Sequence, residues 1–191
     1  AELGRQQAAR ARYRRFLPAL DLKRKQLLAE RAAARDRLAA AEAAMAERTE
    51  TIGATIPMLA NAEIDLAGLA RIARLEVGTR NVVGVAVPVL KALEVEIAPY
   101  GRLTRPHWVD LAAARLREVV RLEVEARIAR EEIAVLDAAI TRVMQRVNLF
   151  EKVLIPEAER KIARIRIALG DRERAAVVTS KIAKRKRERA A

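Results

Sequence analysis

Residues 119–154, VVRLEVEARIAREEIAVLDAAITRVMQRVNLFEKVL, decide the fold, because an apolar residue recurs along them at alternating steps of three and four positions. The series comprises Val119, Leu122, Ala126, Ala129, Ile133, Leu136, Ile140, Val143, Val147, Phe150 and Leu154. Charged residues flank this narrow seam, whereas a globular helix presents a wider apolar face. The stretch therefore predicts one long coiled-coil helix. A rod of this kind suits mechanical or assembly work better than catalysis.

A second stripe with the same period lies in the N-terminal third of the chain. Its members are Leu20, Leu27, Ala34 and Ala41, followed by a companion row at Leu38, Met45, Ile52, Leu59 and Leu66. This pattern predicts a helix from about residue 18 to about residue 72. We expect Pro18 at its start and a kink near Gly53 and Pro57, because a proline inside a helix removes one backbone hydrogen bond.

The C-terminal helix is expected to begin between Thr104 and Trp108, where Pro106 suits a first turn. Pro156 interrupts the apolar period, so we expect a bend there rather than a complete break. Gly170 is a candidate for the end of this helix, since glycine often terminates helices.

Between the helices the apolar period changes to two. Val83, Val85, Val87 and Val89 alternate with smaller residues, and the run from Leu93 to Ile97 alternates with glutamates. Such alternation predicts strands, with a further short one at residues 75–77, and Gly78, Asn81 and residues 99–101 as turns.

The fold class predicted from these patterns is mainly α: a long antiparallel two-helix coiled coil with a small central β-hairpin element. We expect an N-terminal coiled-coil helix at residues 1–72, a central β-hairpin and connector at residues 73–104, and a C-terminal coiled-coil helix with a basic tail at residues 105–191. Two long helices joined by a short connector are able to pair antiparallel.

The formal net charge of +13 is concentrated near the two ends of the 191-residue chain. Residues 5–37 contain eleven basic and three acidic residues, and residues 181–189 contain six basic residues and one acidic residue. Antiparallel pairing is expected to bring these segments together as one basic pole. No apolar run approaches the roughly 20 residues that a membrane-spanning helix needs, and the chain has no cysteine, so we expect a cytoplasmic protein without a membrane span.

The residues that commonly carry chemistry do not cluster in the sequence. The single histidine, His107, has no carboxylate cluster at ligand spacing nearby, and no glycine-rich phosphate loop is present. Glu131 and Glu132 are expected to be solvated charges on the flank of the coil. Tyr100 and Trp108 are expected to have structural roles at the connector. We therefore expect no catalytic site, no metal site and no cofactor.

The run QRVNLFEKVLIPEAERKIARIRIALGDRERA, residues 145–175, resembles the D subunits of the A/V-type rotary ATPases (V-type ATP synthases), the central-stalk rotor shafts of those complexes. The matching positions are Arg146, Val147, Asn148, Leu149, Glu151, Ile155, Pro156, Arg172, Glu173 and Arg174. Residues 79–88, TRNVVGVAVP, are similar to the central hairpin segment of the family, and residues 22–31, LKRKQLLAER, are similar to its N-terminal basic region.

This resemblance implies a non-catalytic rotor subunit that couples ATP hydrolysis or synthesis in a catalytic ring to ion translocation across a membrane. The implied partners are the alternating catalytic and non-catalytic ring subunits, a small central-stalk subunit and a coupling subunit of the membrane rotor. The chain would be cytoplasmic and peripheral on the membrane-bound complex.

The resemblance also implies two sets of contact residues. Contacts of the hairpin with stalk subunits are expected at Arg80, Asn81, Val82, Gly84, Val87 and Pro88. Contacts of the coil and the ring are expected at Arg146, Asn148, Leu149, Glu151, Ile155, Pro156, Arg172 and Arg174.

An alternative follows from charge alone. A basic coiled-coil protein that binds nucleic acid or an anionic membrane surface would use the same two basic ends on phosphates. The cations of residues 181–189 have no aromatic residues between them, which argues against binding of single-stranded nucleic acid. With the resemblance in view, we expect no nucleic-acid partner.

Overall fold

The fold is mainly α with one β-hairpin, which confirms the predicted class. The computed structural model describes residues 2–57, 66, 68–100, 106 and 108–190. In chain order the elements are α1 (Glu2–Thr55), β1 (Ala70–Val82), β2 (Val85–Ile97), α2 (Trp108–Leu149), a π-helical turn (Phe150–Leu154) and α3 (Ile155–Ala190). The chain forms two compact units, one of residues 25–141 and one that combines residues 1–24 with residues 142–191.

In the unit of residues 25–141, α1 and α2 run antiparallel. Ion pairs join the helices at Arg31–Asp137 (2.8 Å), Arg37–Glu132 (2.6 Å) and Arg48–Glu118 (3.4 Å). Residues later in α1 pair with residues earlier in α2, which is possible only when the two helices run in opposite directions. The structure therefore confirms the antiparallel pairing in this unit.

The predicted seams are the buried faces of these helices. Leu27, Ala34 and Ala41 are the buried residues of α1, and the companion residues Leu38, Met45 and Ile52 are half-buried. The α2 series is buried or half-buried throughout, with Ala126 and Leu136 fully inaccessible to solvent. Alanine at many contact positions lets two helices approach closely, because short side chains set the distance between helix axes.

In the unit that combines residues 1–24 with residues 142–191, the start of α1 contacts the π turn and α3. Arg14 pairs with Glu159 at 2.6 Å, and the rings of Tyr13 and Phe150 meet. The buried apolar residues of this unit are Val143, Val147, Ala158 and Ile162. Every described residue from 171 to 189 is exposed.

Pro156 is accommodated by a change in hydrogen bonding rather than by a break. The Ile155 N–H donates to the Phe150 carbonyl, five residues earlier, and α3 follows at once. Proline has no N–H and its ring clashes with the carbonyl four residues before it, so a wider π turn relieves the conflict. The helix therefore continues past Pro156, as expected.

Three predicted helix boundaries were wrong. Pro18 lies inside α1 rather than at its start, and Gly170 lies inside α3 rather than at its end. Both positions are surrounded by alanine, arginine and leucine, whose high helix propensity offsets a single unfavourable residue. The N-terminal helix was expected to run to about residue 72 with a kink near Pro57, whereas α1 ends at Thr55, because proline disfavours the helical conformation of the preceding residue, here Ile56.

The hairpin is longer than predicted and its turn lies elsewhere. Val83 and Gly84, predicted in a strand, form the two-residue turn with φ angles of 51° and 77°. Left-handed conformations at both positions are typical of the hairpin turns whose twist matches that of the strands. The Gly84 N–H donates to Asn81 Oδ1 at 2.7 Å, so Asn81 supports the turn from the end of β1.

The strand β1 begins at Ala70, where the N-terminal helix had been expected to continue, and it includes Gly78, which had been expected in a turn. The register shifts after Ile72 and after Glu76, which marks two β-bulges. Lys91 lies at the second irregularity, and its side chain packs over Gly78 in the space that a Cβ would need. Tertiary packing thus makes glycine suitable within this strand.

The base of the hairpin is anchored in a small apolar cluster. Leu69, Val109 and Ala113 form its buried centre, and Ile97, Tyr100 and Trp108 pack against it. The Tyr100 hydroxyl also hydrogen-bonds to an Asp110 carboxylate oxygen. This confirms the structural roles predicted for Tyr100 and Trp108.

Candidate interaction surface

The half of the hairpin near its turn packs on the two helices of the unit of residues 25–141. Val82 and Val87 are buried, with 5% and 0% of their surface exposed. Paired residues on antiparallel strands share a face, so Arg80, the partner of Val87 in the register, points the same way. This face is the one directed at α1 and α2.

Arg80 connects the hairpin to both helices at once. Its Nη2 lies 3.0 Å from Glu30 Oε2 on α1 and 3.1 Å from Glu132 Oε1 on α2. The other oxygen of Glu132 accepts from Arg37 Nη2 at 2.6 Å. Two carboxylates and two guanidinium groups from three elements therefore form one network, which we call the Arg80 clamp: Arg80, Glu30, Glu132 and Arg37.

The hydrogen bond to Glu30 and, after it, the interactions with Glu132 raise the pKa of Arg80 above the ordinary value for arginine. Because folding raises this pKa, the contribution of Arg80 to stability is complete below the ordinary arginine pKa and is lost only when the pH rises beyond it. Arg80 is consequently positively charged throughout the neutral pH range.

Glu132 is the functional candidate that sequence reasoning placed wrongly. Only 5% of the residue is exposed, whereas it had been expected as a solvated flank charge like its exposed neighbour Glu131. Val124, Ile128 and Glu132 recur every four residues and form a second buried row on α2, beside the coiled-coil seam. The four-residue spacing of Val124, Ile128 and Glu132 is visible in the sequence. A coiled coil with two seam positions per heptad places these three residues on its solvated flank, so the sequence reasoning did not predict their burial.

A groove of about 840 Å³ lies between β2 and the helix pair. Small residues of α1 form part of its lining, together with Leu122, Ile128 and Ala129 of α2 and Pro88, Val89 and Leu90 of β2. Charged residues of the lining include Arg37, Arg80 and Glu132. The groove thus combines a mainly apolar lining with charged side chains.

The predicted hairpin contacts occupy different environments. Val82 and Val87 are covered by the chain itself, and Arg80 is engaged in the clamp. Asn81, near the end of β1, and Gly84, in the turn, are exposed, whereas Pro88 is half-buried in the lining of the groove. Of the six predicted residues, Asn81, Gly84 and Pro88 remain the most available to a partner.

The opposite face of the hairpin carries apolar side chains that the sequence reasoning did not single out as contacts. Ile72, Leu75 and Val77 on β1 are 46%, 45% and 49% exposed. The partners of Ile72 and Leu75 in the register are Val95 and Leu93 on β2, both half-buried. We call these five residues the outer apolar face. The two-residue period of both strands is the signal that could have found it.

The predicted coil and ring contacts lie at the end of α2, in the π turn and on α3. Arg146, Asn148, Leu149, Glu151, Arg172 and Arg174 are exposed, and Ile155 and Pro156 are half-buried. Arg174 pairs with Asp171 on its own helix at 3.4 Å. The Pro156 carbonyl accepts a hydrogen bond from Arg160 Nε at 3.4 Å.

Among the described residues, no group of three or more His, Asp or Glu side chains could hold a metal ion. His107 lies outside the described residues. No described helix combines the length and apolar character that crossing a membrane requires.

Comparisons with known proteins agree with this architecture. The family model for the ATP synthase D subunit matches residues 2–185. The chain is 38% identical over 181 residues to the V-type ATP synthase D subunit of Chlamydia felis, covering 92% of this chain and 86% of that protein. It is 32% identical over 172 residues to the V-type ATP synthase D subunit of Borreliella burgdorferi, covering 90% and 85%. The chain belongs to the ATP synthase D subunit family.

Proposed function

We propose that this chain is the central-stalk rotor shaft of a V-type ATP synthase complex. It is a non-catalytic subunit that couples ATP hydrolysis or synthesis in a catalytic ring to ion translocation. The observation that carries the proposal is the helix pair of residues 25–141 with its buried apolar seam, in a chain whose family match extends over residues 2–185. A seam of interdigitating side chains holds two helices together while the shaft transmits torque.

The exposed surface of α3 and the end of α2 is proposed to face the ring of alternating catalytic and non-catalytic subunits. Arg172 and Arg174 are exposed there, as are Arg146 and Asn148 on α2. Exposed charges form contacts that are individually weak, about 0–1 kcal/mol each, so no single contact would hold the shaft in one angular position. This suits a part that meets successive ring subunits in turn.

The outer apolar face of the hairpin is proposed as the contact with the small central-stalk subunit, together with Asn81, Gly84 and Pro88. Apolar side chains half exposed on one sheet face are typical of a surface covered in an assembly. A coupling subunit of the membrane rotor is the further proposed partner. In that assembly the chain is cytoplasmic and peripheral on the membrane-bound complex.

The direct test is purification of the full chain, affinity-tagged, from its native source, with identification of the copurifying subunits by mass spectrometry. We expect a hexameric ATPase ring and a small stalk subunit in stoichiometric amounts. Recovery of nucleic acid or of lipid-bound chain without ATPase subunits would contradict the proposal and favour the charge-based alternative, which the comparisons do not support.

A matched pair of variants tests the hairpin contact within the same preparation. Leu75→Ser and Val77→Ser together remove apolar surface from the outer apolar face, and we expect loss of the small stalk subunit with the ring retained. Val177→Ser and Val178→Ser change two equally exposed valines on α3 and are expected to leave the small subunit bound. Equal loss in both variants would contradict the assignment of this face.

A further inference from the structure

The hairpin is attached to the helix pair at two separate places. Its base joins the cluster of Leu69, Val109 and Ala113, and its other half is held by buried Val82 and Val87 and by Arg80. Between these attachments, Ile72, Leu75 and Val77 of β1 are about half exposed. The part near the turn could therefore leave the helices while the base stays in place.

The ionic contacts of this part of the hairpin with the helices are concentrated on one side chain. Among the described hairpin residues, Arg80 alone forms ion pairs with α1 or α2. Arg74, the other paired arginine, bonds within the hairpin to Glu76 at 2.6 Å and to Glu94 at 3.6 Å. Loss of the Arg80 contacts would leave only apolar packing near the turn.

The charges of the clamp link hairpin docking to the pairing of the helices. Glu132 is almost completely buried and is bonded by Arg37 and Arg80. Departure of Arg80 would leave Glu30 and Glu132, one on each helix, with Arg37 as the remaining cation of the network. A buried carboxylate that loses a partner is costly, so the docked hairpin is favoured by electrostatics as well as by packing.

We propose that Arg80 is a conformational clamp: it holds the hairpin against both helices, and its release by charge screening or by a competing acidic group lets the half of the hairpin near the turn undock while the helix pair stays folded. A free two-stranded hairpin is only marginally stable in water, so the undocked segment would open and expose Val82 and Val87. The clamp thus makes the hairpin a two-state element within the unit of residues 25–141.

The absence of cysteine from these 191 residues allows a direct test with single thiol probes in the whole 191-residue chain. Val87→Cys places a thiol at a fully buried position under the hairpin, and its rate of labelling by a maleimide reports how often the hairpin is undocked. Ala126→Cys places a thiol at an equally buried position in the α2 seam and reports opening of the helix pair. Each probe is combined with Arg80→Ala and, as a matched control, with Arg74→Ala.

We expect Arg80→Ala to raise the labelling rate of the Val87→Cys probe by about tenfold and to leave the rate of the Ala126→Cys probe within about twofold. Arg74→Ala should change neither rate, although the two arginines are similarly exposed. Adding about 1 M NaCl should raise the Val87→Cys rate when Arg80 is present and have little effect after Arg80→Ala, since screening acts on the clamp.

Two outcomes would overturn the proposal. Equal acceleration at both probes would mean that Arg80 stabilises the whole unit rather than holding the hairpin alone. An unchanged Val87→Cys rate after Arg80→Ala would mean that apolar packing keeps the hairpin docked without the clamp. Arg80→Lys, which keeps the charge but loses the guanidinium whose Nη2 contacts both carboxylates, should give an intermediate rate.

Discussion

The ring of Phe150, the first residue of the π turn, meets the ring of Tyr13 on α1 nearly edge to face, with centroids 5.4 Å apart and planes inclined at 74°. Only 3% of the chain is aromatic, so a ring pair is an uncommon contact in this protein. The ring pair joins α1 to the π turn that follows α2, where the backbone hydrogen bonding changes. The pair therefore ties the π turn to the opposite helix.

We expect Phe150→Ala to lower the free energy of unfolding by about 2 kcal/mol, because the ring is half-buried and a favourable aromatic pair is lost. Phe16→Ala is the matched control: Phe16 is 55% exposed and its loss should cost less than about 0.5 kcal/mol. Urea unfolding of both variants measures the difference. Equal effects would show that the ring pair adds no stability.

The coiled-coil seam offers a comparison of adjacent residues. Leu136 is fully buried in α2 and Val135 beside it is 37% exposed. Leu136→Ala is expected to cost about 3 kcal/mol through lost burial and a residual cavity, and Val135→Ala less than about 1 kcal/mol. Unfolding by urea, followed by the helical circular dichroism signal, checks both. A small effect of Leu136→Ala on the free energy of unfolding would show that Leu136 contributes little to the stability of the seam.

Glu132 and Glu131 provide a second matched pair. Glu132→Gln keeps the shape but removes the charge that Arg37 and Arg80 share, so we expect a loss of about 2 kcal/mol. Glu131 is exposed and pairs with Arg127 on the same helix, so Glu131→Gln should change the free energy of unfolding by less than about 0.5 kcal/mol. The same denaturation experiment decides whether the ion pairs of buried Glu132 contribute to the free energy of unfolding.

The hairpin turn contains a residue poorly suited to its backbone conformation. Val83 has a φ of 51°, and left-handed conformations cost a residue with a Cβ roughly 1–2 kcal/mol. Val83→Asn should therefore stabilise the protein by about 1 kcal/mol, because asparagine followed by glycine is preferred in such turns. Val85→Asn, two positions later in β2, should instead destabilise it. Thermal unfolding compares the two, and destabilisation by both would contradict the turn assignment.

We propose that the π turn before Pro156 contributes to torque transmission, and substitution of Pro156 tests this role. Pro156→Ala restores an N–H donor and permits regular α-helical hydrogen bonding, so we expect ATP-driven ion pumping to fall relative to ATP hydrolysis while the complex still assembles. Pro18→Ala, in the regular helix α1, is the control and should leave the ratio of pumping to hydrolysis unchanged. Normal pumping in reconstituted vesicles with Pro156→Ala would reject this role.

The seams of both helices were predictable because their chemistry is local and periodic. Residues such as Leu27, Ala34 and Leu136 recur at the coiled-coil period, and the structure buries them as expected. The resemblance of residues 145–175 to the rotary ATPase shaft was likewise confirmed by the family match. The boundaries at Pro18, Pro57 and Gly170 were not predictable in this way, because the effect of a single helix-breaking residue depends on the helix propensity of the residues around it.

The amino-acid sequence by itself determined the two long apolar seams, the β period of the central segment, the absence of thiol chemistry and the family of this protein. Only the tertiary structure decided that the hairpin folds back on the helices, so that Glu132 is buried and Arg80 reaches Glu30 and Glu132 together. The reason is physical: periodicity reports which face of an element is buried, whereas ion pairs between residues about 50 positions apart depend on how the elements pack.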